Sequence, residues 1–182
     1  MEFRGITYKD EMITDQATLQ RLPPDLKNFY REINGLVAYQ GGLHIRGCVK
    51  DPSWHSLRRV WSDDWALHRK FATLTEHDVP FAQDCLGDQY FWRLGTIWRL
   101  YWDDGEVEDL ELELYDFFDE VHLDPIDFLD LEPLVYYLEQ GKTLSPGFLL
   151  RSDPPLSIDA EHYEFMPVSI EDFLTDQVLP SL

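Results

Sequence analysis

Apolar positions first settle into a helical period in PPDLKNFYREING, residues 23–35, where Leu26, Phe29, Tyr30 and Ile33 recur at i, i+3, i+4 and i+7. That spacing lines one face of an α-helix, and proline is tolerated in a helix's first turn because the first amides have no intrahelical acceptor. Gly35 supplies a residue that can take positive φ just past the helix end. The next stretch, LVAYQGGLHIRG, changes period and reads as two short strands, about 36–39 and 43–46, reversed at Gly41–Gly42. Asp51-Pro52-Ser53 is expected to open a helix over Trp54–Trp61, and Ser62-Asp63-Asp64 another over Trp65–Phe71. Their aromatics face the core in this reading, with Arg58, Arg59, Arg69 and Lys70 forming a basic patch on the wet side.

A dense β region follows: VPFAQD, DQYFWRL, IWRLYWD and EVEDL, punctuated by Gly87 and Gly95. Asp103-Asp104-Gly105 has the chemistry of a hairpin turn between the last two strands. Alternation places Tyr90 and Trp92 on one side of the sheet and Phe91 and Arg93 on the other. Ile97, Arg99 and Tyr101 likewise oppose Trp98, Leu100 and Trp102. Both faces therefore carry aromatics, and helices or a partner must cover part of each. The helical period returns at Leu114, Phe117, Phe118 and Val121. Asp124-Pro125 opens a further helix through Leu131, and Glu132-Pro133 another through Gln140, closed by Gly141. SPGFLLRSDPPL reads as a proline-broken loop or edge segment and HYEFMPVS as one more strand. Ser169 is the expected cap of a last helix over Ile170–Val178. No internal repeat, linker or second-domain boundary interrupts residues 1–182, so a single domain is expected.

Composition supports a packed core. At 44% hydrophobic and 14% aromatic, the 182 residues can bury an ordinary interior, with a radius of gyration of about 16 Å. No apolar run reaches the ~20 residues of a membrane span, and MEFRGITYKDEM has no apolar signal core, so a cytoplasmic location is expected. Cys48 and Cys85 form no CxxC pair, which suits a reducing compartment. Charge changes the picture more. Residues 1–102 hold 13 basic and 13 acidic residues, so the net −20 falls wholly on 103–182, where 22 acidic residues face only Lys142 and Arg151. Nucleic acid and anionic membrane are poor partners for such a surface, and a basic protein is a good one. The densest part is DDGEVEDLELELYDFFDE, Asp103–Glu120, with ten carboxylates and no lysine or arginine.

Motifs that would carry chemistry are missing. Setting Gly105 as the invariant glycine of an EF-hand loop puts Leu100 and Trp102 where oxygen ligands belong. The six histidines include no pair at i, i+3 or i, i+4, and neither cysteine has a neighbour at zinc-site spacing. There is no GxSxG, P-loop, GxGxxG or HExxH, so no metal, cofactor or catalytic residue is expected. Paired carboxylates leave a carboxylate-dependent hydrolase open, which predicts a deep cleft holding one carboxyl group of raised pKa.

Three stretches carry a family resemblance. LPPDLKNFYREINGLVAYQGGLHI, VPFAQDCLGDQYFWRLGTIWRLYWDDGEVEDL (with its "PFA-x-D-x-x-GDQ" entry) and ELYDFFDEV resemble the SUKH superfamily, the Smi/Knr-like proteins. DPIDFL, EPLVYYLEQGKTLSPGFLL and PPL resemble the tail of one bacterial branch. Together these cover roughly residues 20–156, and the tail after Leu156 matches no motif. The resemblance implies an α+β fold in which a curved antiparallel sheet is packed with surrounding helices. It implies binding without catalysis: many bacterial members are immunity proteins that neutralise a cognate polymorphic toxin, often a nuclease, while others are intracellular interaction modules. On that basis Asp103, Asp104, Glu106, Glu108, Glu111 and Glu113 are the expected docking face for a basic toxin, with Trp98 and Trp102 as candidate anchors. A hydrated, solubilising face remains the alternative.

Overall fold

A computed structural model describes residues 2–156 and 158–176. Among them, seven strands form one sheet in chain order: β1 (Tyr8–Lys9), β2 (Leu36–Ala38), β3 (Leu43–Ile45), β4 (Val79–Asp84), β5 (Gln89–Arg93), β6 (Thr96–Leu100) and β7 (Val107–Leu112). Every neighbouring pair is antiparallel, and the sheet stays open with β1 and β7 at its edges. Helices pack around it, so the class is α+β. They are α1 (Gln16–Arg21), α2 (Pro24–Glu32), α3 (Leu57–Trp61), α4 (Leu114–Leu123), α5 (Pro125–Phe128), α6 (Glu132–Glu139) and α7 (Ile170–Thr175). β8 (Phe148–Asp153) and β9 (Glu164–Ser169) make a separate antiparallel ribbon. No helix of the described residues is long and apolar enough to cross a membrane.

The two helices with the clearest period meet on one face of the sheet. Leu26, Phe29 and Tyr30 of α2 and Leu114, Phe117, Phe118 and Val121 of α4 are all buried. Phe29 stacks on Phe118 with ring centroids 4.9 Å apart, and Phe117 meets Phe81 at 5.8 Å and Tyr90 at 5.1 Å. Such aromatic pairs add about 0.5–1.5 kcal/mol beyond their burial. The opposite face, with Phe91 and Leu100, is covered by the long connection between β3 and β4. Arg93 of β5 clamps that connection, donating from Nε to Asp78 Oδ1 at 2.8 Å and from Nη2 to Thr73 O at 2.9 Å.

The carboxyl-terminal ribbon is tied to the sheet at the β4–β5 turn. Leu150 N of β8 donates to Cys85 O at 2.8 Å, and Phe173 of α7 lies against Trp102 with centroids 4.5 Å apart. Gly87 makes this contact possible, because a Cβ there would stand 2.2 Å from Phe173 Cζ and its φ is +98°.

Several expected elements take a different form. The helix over Trp54–Trp61 is split into a 3₁₀ turn at Ser53–His55 and the short α3. Gly47 N donates to His55 O and Leu57 N donates to Gly47 O, so the backbone between the two pieces is taken by a parallel bridge. Only a 3₁₀ turn, Leu67–Arg69, forms within 65–71, since Ala66 is extended at ψ 115°. The helix after Asp124 stops at Phe128, short of Leu131, and Asp130 takes φ +52°. SPGFLLRSDPPL, read as a broken loop or an edge segment, is the latter: it contains β8, which among the described residues pairs with β9 alone. The sequence pattern did not reveal β1 or α1. Ser169 does cap α7, accepting from Asp172 N at 3.1 Å, while residues 177 and 178 of the expected last helix lie outside the described residues.

Candidate functional site

The acidic stretch occupies the β6–β7 turn, the edge strand β7 and the start of α4. Asp103, Asp104, Glu106, Glu108, Glu111 and Glu113 are all exposed. The turn is built locally: Asp104 Oδ1 accepts from Glu106 N at 2.8 Å, and Gly105 takes φ +73°. Further along β7 the register shifts between Ile97↔Leu112 and Trp98↔Asp109, so Leu110 and Glu111 form a bulge. Glu111 sits at φ +56° there, with Asp109 Oδ1 accepting its N–H at 2.9 Å. A bulge re-aims edge side chains and interrupts pairing, and exposed charges discourage edge-to-edge association. The carboxylates are thus brought together along one open border of the sheet. Tyr101 is the neutral group among them, donating its hydroxyl to Glu108 Oε2 at 2.6 Å.

The two tryptophans proposed as anchors part company. Trp98 is half-buried, lies under the Arg93 guanidinium at 4.8 Å, and donates Nε1–H to Thr96 Oγ1 at 3.0 Å. Trp102 is only 7% exposed. Phe71 and Phe173 pack against its ring, and Lys70 Nζ lies 4.6 Å from the ring centroid, so it is a core residue rather than an anchor. Lys70 is also removed from the wet patch, since it donates to Leu174 O at 3.0 Å. Arg58 and Arg59 are paired with acids, Arg58 with Asp15 and Asp63 and Arg59 with Asp64. The four basic residues therefore do not act as one free patch.

Beside the acidic turn lies a cleft of about 600 Å³, floored by Leu86, Trp102, Leu150 and Phe173 and rimmed by Asp88, Asp103, Asp104 and Asp176. Partial desolvation at the cleft rim raises the Asp103 carboxyl above its ordinary pKa although the residue stays exposed, and the neighbouring Asp104 charge adds to this. Asp88 is raised by burial, but its oxygens are occupied: Oδ1 accepts from Trp102 N at 2.9 Å and Oδ2 from Arg99 Nη2 at 2.8 Å. Arg99 also reaches Asp130 Oδ2 at 2.6 Å. Asp84 accepts three turn amides on Oδ1, those of Leu86, Gly87 and Asp88. Among the described residues, no group of three or more His, Cys, Asp or Glu could hold a metal ion.

A second polar constellation went unread in the sequence because it depends on register. His44, Gln83 and Gln89 are successive partners across β3, β4 and β5, and all three are buried. The fully buried Arg46 donates from Nη1 to Pro80 O at 2.7 Å and from Nη2 to Gln83 Oε1 at 2.5 Å and Gln89 Oε1 at 2.6 Å. A guanidinium can only donate, which fixes the Gln83 amide so that Nε2 donates to His44 Nδ1 at 3.3 Å. His44 then carries its proton on Nε2 and donates it to His55 Nδ1 at 2.8 Å. His55 keeps its proton on Nε2, 2.9 Å from Asp10 Oδ2 in a polar contact too poorly aligned for a full hydrogen bond. Every donor points from Arg46 towards Asp10, and both imidazoles are neutral. Burial pulls the His44 pKa well below its ordinary value, and the nearby His55, were it protonated, and the Arg46 guanidinium act in the same direction. Burial also lowers His55, against the opposing Asp10 carboxylate, and pulls Arg46 down to about 9. The one sequence signal was the polar alternation of His44 and Arg46 within an apolar strand.

No family model matches the chain, and neither a curated protein nor a solved structure matches it.

Proposed function

We propose that this chain is a cytoplasmic, non-enzymatic immunity protein of SUKH-like fold, which neutralises a cognate basic toxin, a nuclease for example, by stoichiometric binding. The observation that carries the reading is the exposed row of six carboxylates along the β6–β7 turn and the edge strand β7, with no lysine or arginine from Asp103 to Glu120. A nuclease site is basic because it holds phosphates, and an acidic border steers such a surface into encounter, raising on-rates by roughly 10–10³-fold. Of the two tryptophans expected as anchors, Trp98 is the one left accessible at this border. Pro80–Gln89, one of the stretches that carry the family resemblance, contributes side chains that organise the sheet. Asp84 organises the β4–β5 turn, Asp88 holds Arg99, and Gln83 and Gln89 hold Arg46.

An interaction module of the same fold with a non-toxic partner is the second reading, and the same surface would serve it. A hydrolase stays open, since the cleft and the raised Asp103 carboxyl are features it calls for, but Asp88 is tied on both oxygens and no catalytic motif accompanies Asp103. Co-expression with the product of the adjacent gene separates these readings. The immunity reading expects that product to be toxic alone and harmless beside this protein. A non-toxic product, or toxicity that persists, overturns it.

A further inference from the structure

A second cleft, of about 560 Å³, shares no lining residue with the first and is lined by two arginines. Arg21, Ser62, His68, Arg69, Glu76 and His77 line it, with Trp61 at its base. Arg21, at the end of α1, and Arg69 have no carboxylate within ion-pair distance among the described residues. Arg58, Arg59, Arg93, Arg99 and Arg151 are paired with carboxylates, whereas Arg21 and Arg69 share with Arg4, Arg31 and Arg46 the lack of one, and only these two line a common cleft. Both guanidiniums are instead held by neutral oxygens of one short segment. Arg21 Nη1 donates to Ser62 Oγ at 3.2 Å, Arg69 Nη2 to Ser62 O at 3.3 Å, and Arg69 Nη1 to Asp63 O at 3.1 Å. The Arg21 guanidinium also lies over the Trp61 ring, 4.5 Å from its centroid. Neutral anchoring orients the two forks without using up their charge, and each keeps N–H groups for a further acceptor.

We propose that this cleft is an oxyanion site that binds a phosphate group, free or carried on a small molecule, between Arg21 and Arg69. Guanidinium forks match the geometry of tetrahedral oxyanions, and pre-oriented donors lose little freedom on binding. Two guanidiniums outweigh the single carboxylate, Glu76, on the rim. The imidazoles of His68 and His77 add further nitrogen donors to the wall, and the volume falls within the ordinary range for small-ligand pockets.

The test is calorimetric titration of the full chain with inorganic phosphate and with adenosine diphosphate at low ionic strength, alongside R21Q, R69Q and R31Q. Arg21, Arg69 and Arg31 are exposed, so the folded state should survive each change. Saturable binding that either R21Q or R69Q weakens by at least about tenfold is expected, while R31Q leaves it unchanged. Adenosine diphosphate binding more tightly than phosphate would place the anion on an organic carrier, and equal binding would mark a free anion. Amide shifts in the wild type should centre on Ser62, His68 and His77. The proposal is overturned if neither probe saturates, if binding survives both substitutions, or if R31Q weakens it equally, since that would mark diffuse charge rather than a site.

Discussion

The enclosed imidazole pair makes a quantitative demand on acid stability. His44 and His55 are 3% and 0% exposed and share one hydrogen bond, and neither can take a second proton without breaking the chain of donors from Arg46. Their folded-state pKa values lie below the ~6.5 of an unfolded histidine, so the unfolded chain takes up protons first as pH falls. Their contribution is neutral above that pH and turns destabilising below it. For a histidine that stays neutral when folded, the loss at pH 5.5 is RT ln(1 + 10), about 1.4 kcal/mol. The pair therefore costs up to about 2.8 kcal/mol, a sizeable part of the ~5–15 kcal/mol that stabilises a typical domain. Asp84 and Asp88 act in the other direction. Burial raises both, so the folded state retains protons that the unfolded chain releases above about 3.8, and their stabilising contribution is lost as pH rises. The assay must separate the two. Urea unfolding of wild type and H44Q/H55Q from pH 7.5 to 5.5 does so, because the carboxylates are common to both proteins. The difference in unfolding free energy should narrow towards acid, by at most about 2.8 kcal/mol. In parallel, the carbon-bound proton shifts assigned to His44 and His55 in wild type should not show titration centred near ~6.5. Parallel stability curves, or His44 and His55 both titrating near ~6.5, would refute the reasoning.

Three further outcomes are expected. Converting Asp103, Asp104, Glu106, Glu108, Glu111 and Glu113 to Asn/Gln should change stability by no more than about 0.5 kcal/mol per site in thermal unfolding. The same variant should associate with the cognate toxin about tenfold or more slowly at low salt, with a flatter salt dependence. A solvated face with no docking role would leave stopped-flow rates unchanged. G87A should destabilise by about 2–4 kcal/mol, because its Cβ enters the Phe173 ring and its φ is left-handed. Urea unfolding checks the size, and protease cleavage near α7 checks that this helix undocks. Leu94 is 93% exposed at the β5–β6 hairpin tip with φ +52°, followed by Gly95. L94N should stabilise by about 0.5–1.5 kcal/mol, since Asn-Gly suits such a turn and Leu does not; a lower melting temperature would contradict this.

Much of the fold was legible where one period ran uninterrupted. VPFAQD is β4 residue for residue, and the four apolar positions of α4 are all buried, because β4 is a central strand paired on both sides and α4 turns one continuous apolar face onto the core. Legibility failed where tertiary pairing captured the backbone. The bridge between Gly47 and Ser56 splits the run over 54–61, a competition that no local pattern records. QATLQR buries only Thr18 and Leu19 and depends on the Asp15 cap, so α1 had too weak a period to stand out. The carboxylates were readable as exposed because a charge-dense strand is stable only at an edge. Trp102 was not readable, since alternation assigns it a face while its covering residue, Phe173, comes from the end of the chain. The polar row was hidden for a related reason: its members lie far apart in sequence and meet only through strand pairing.

That row also bears on which strand pairing the molecule can adopt. A two-residue slip between β3 and β4 would keep every inward side chain inward, so apolar patterning alone hardly distinguishes the native alignment from its neighbour. Arg46, His44 and Gln83 do distinguish it. Slipped by two positions, the guanidinium would face a different pair of groups, and a buried charge without acceptors costs several kcal/mol. The one-way order of donors from Arg46 to Asp10 thus works as a lock on alignment. It specifies one pairing among several that the hydrophobic core would accept.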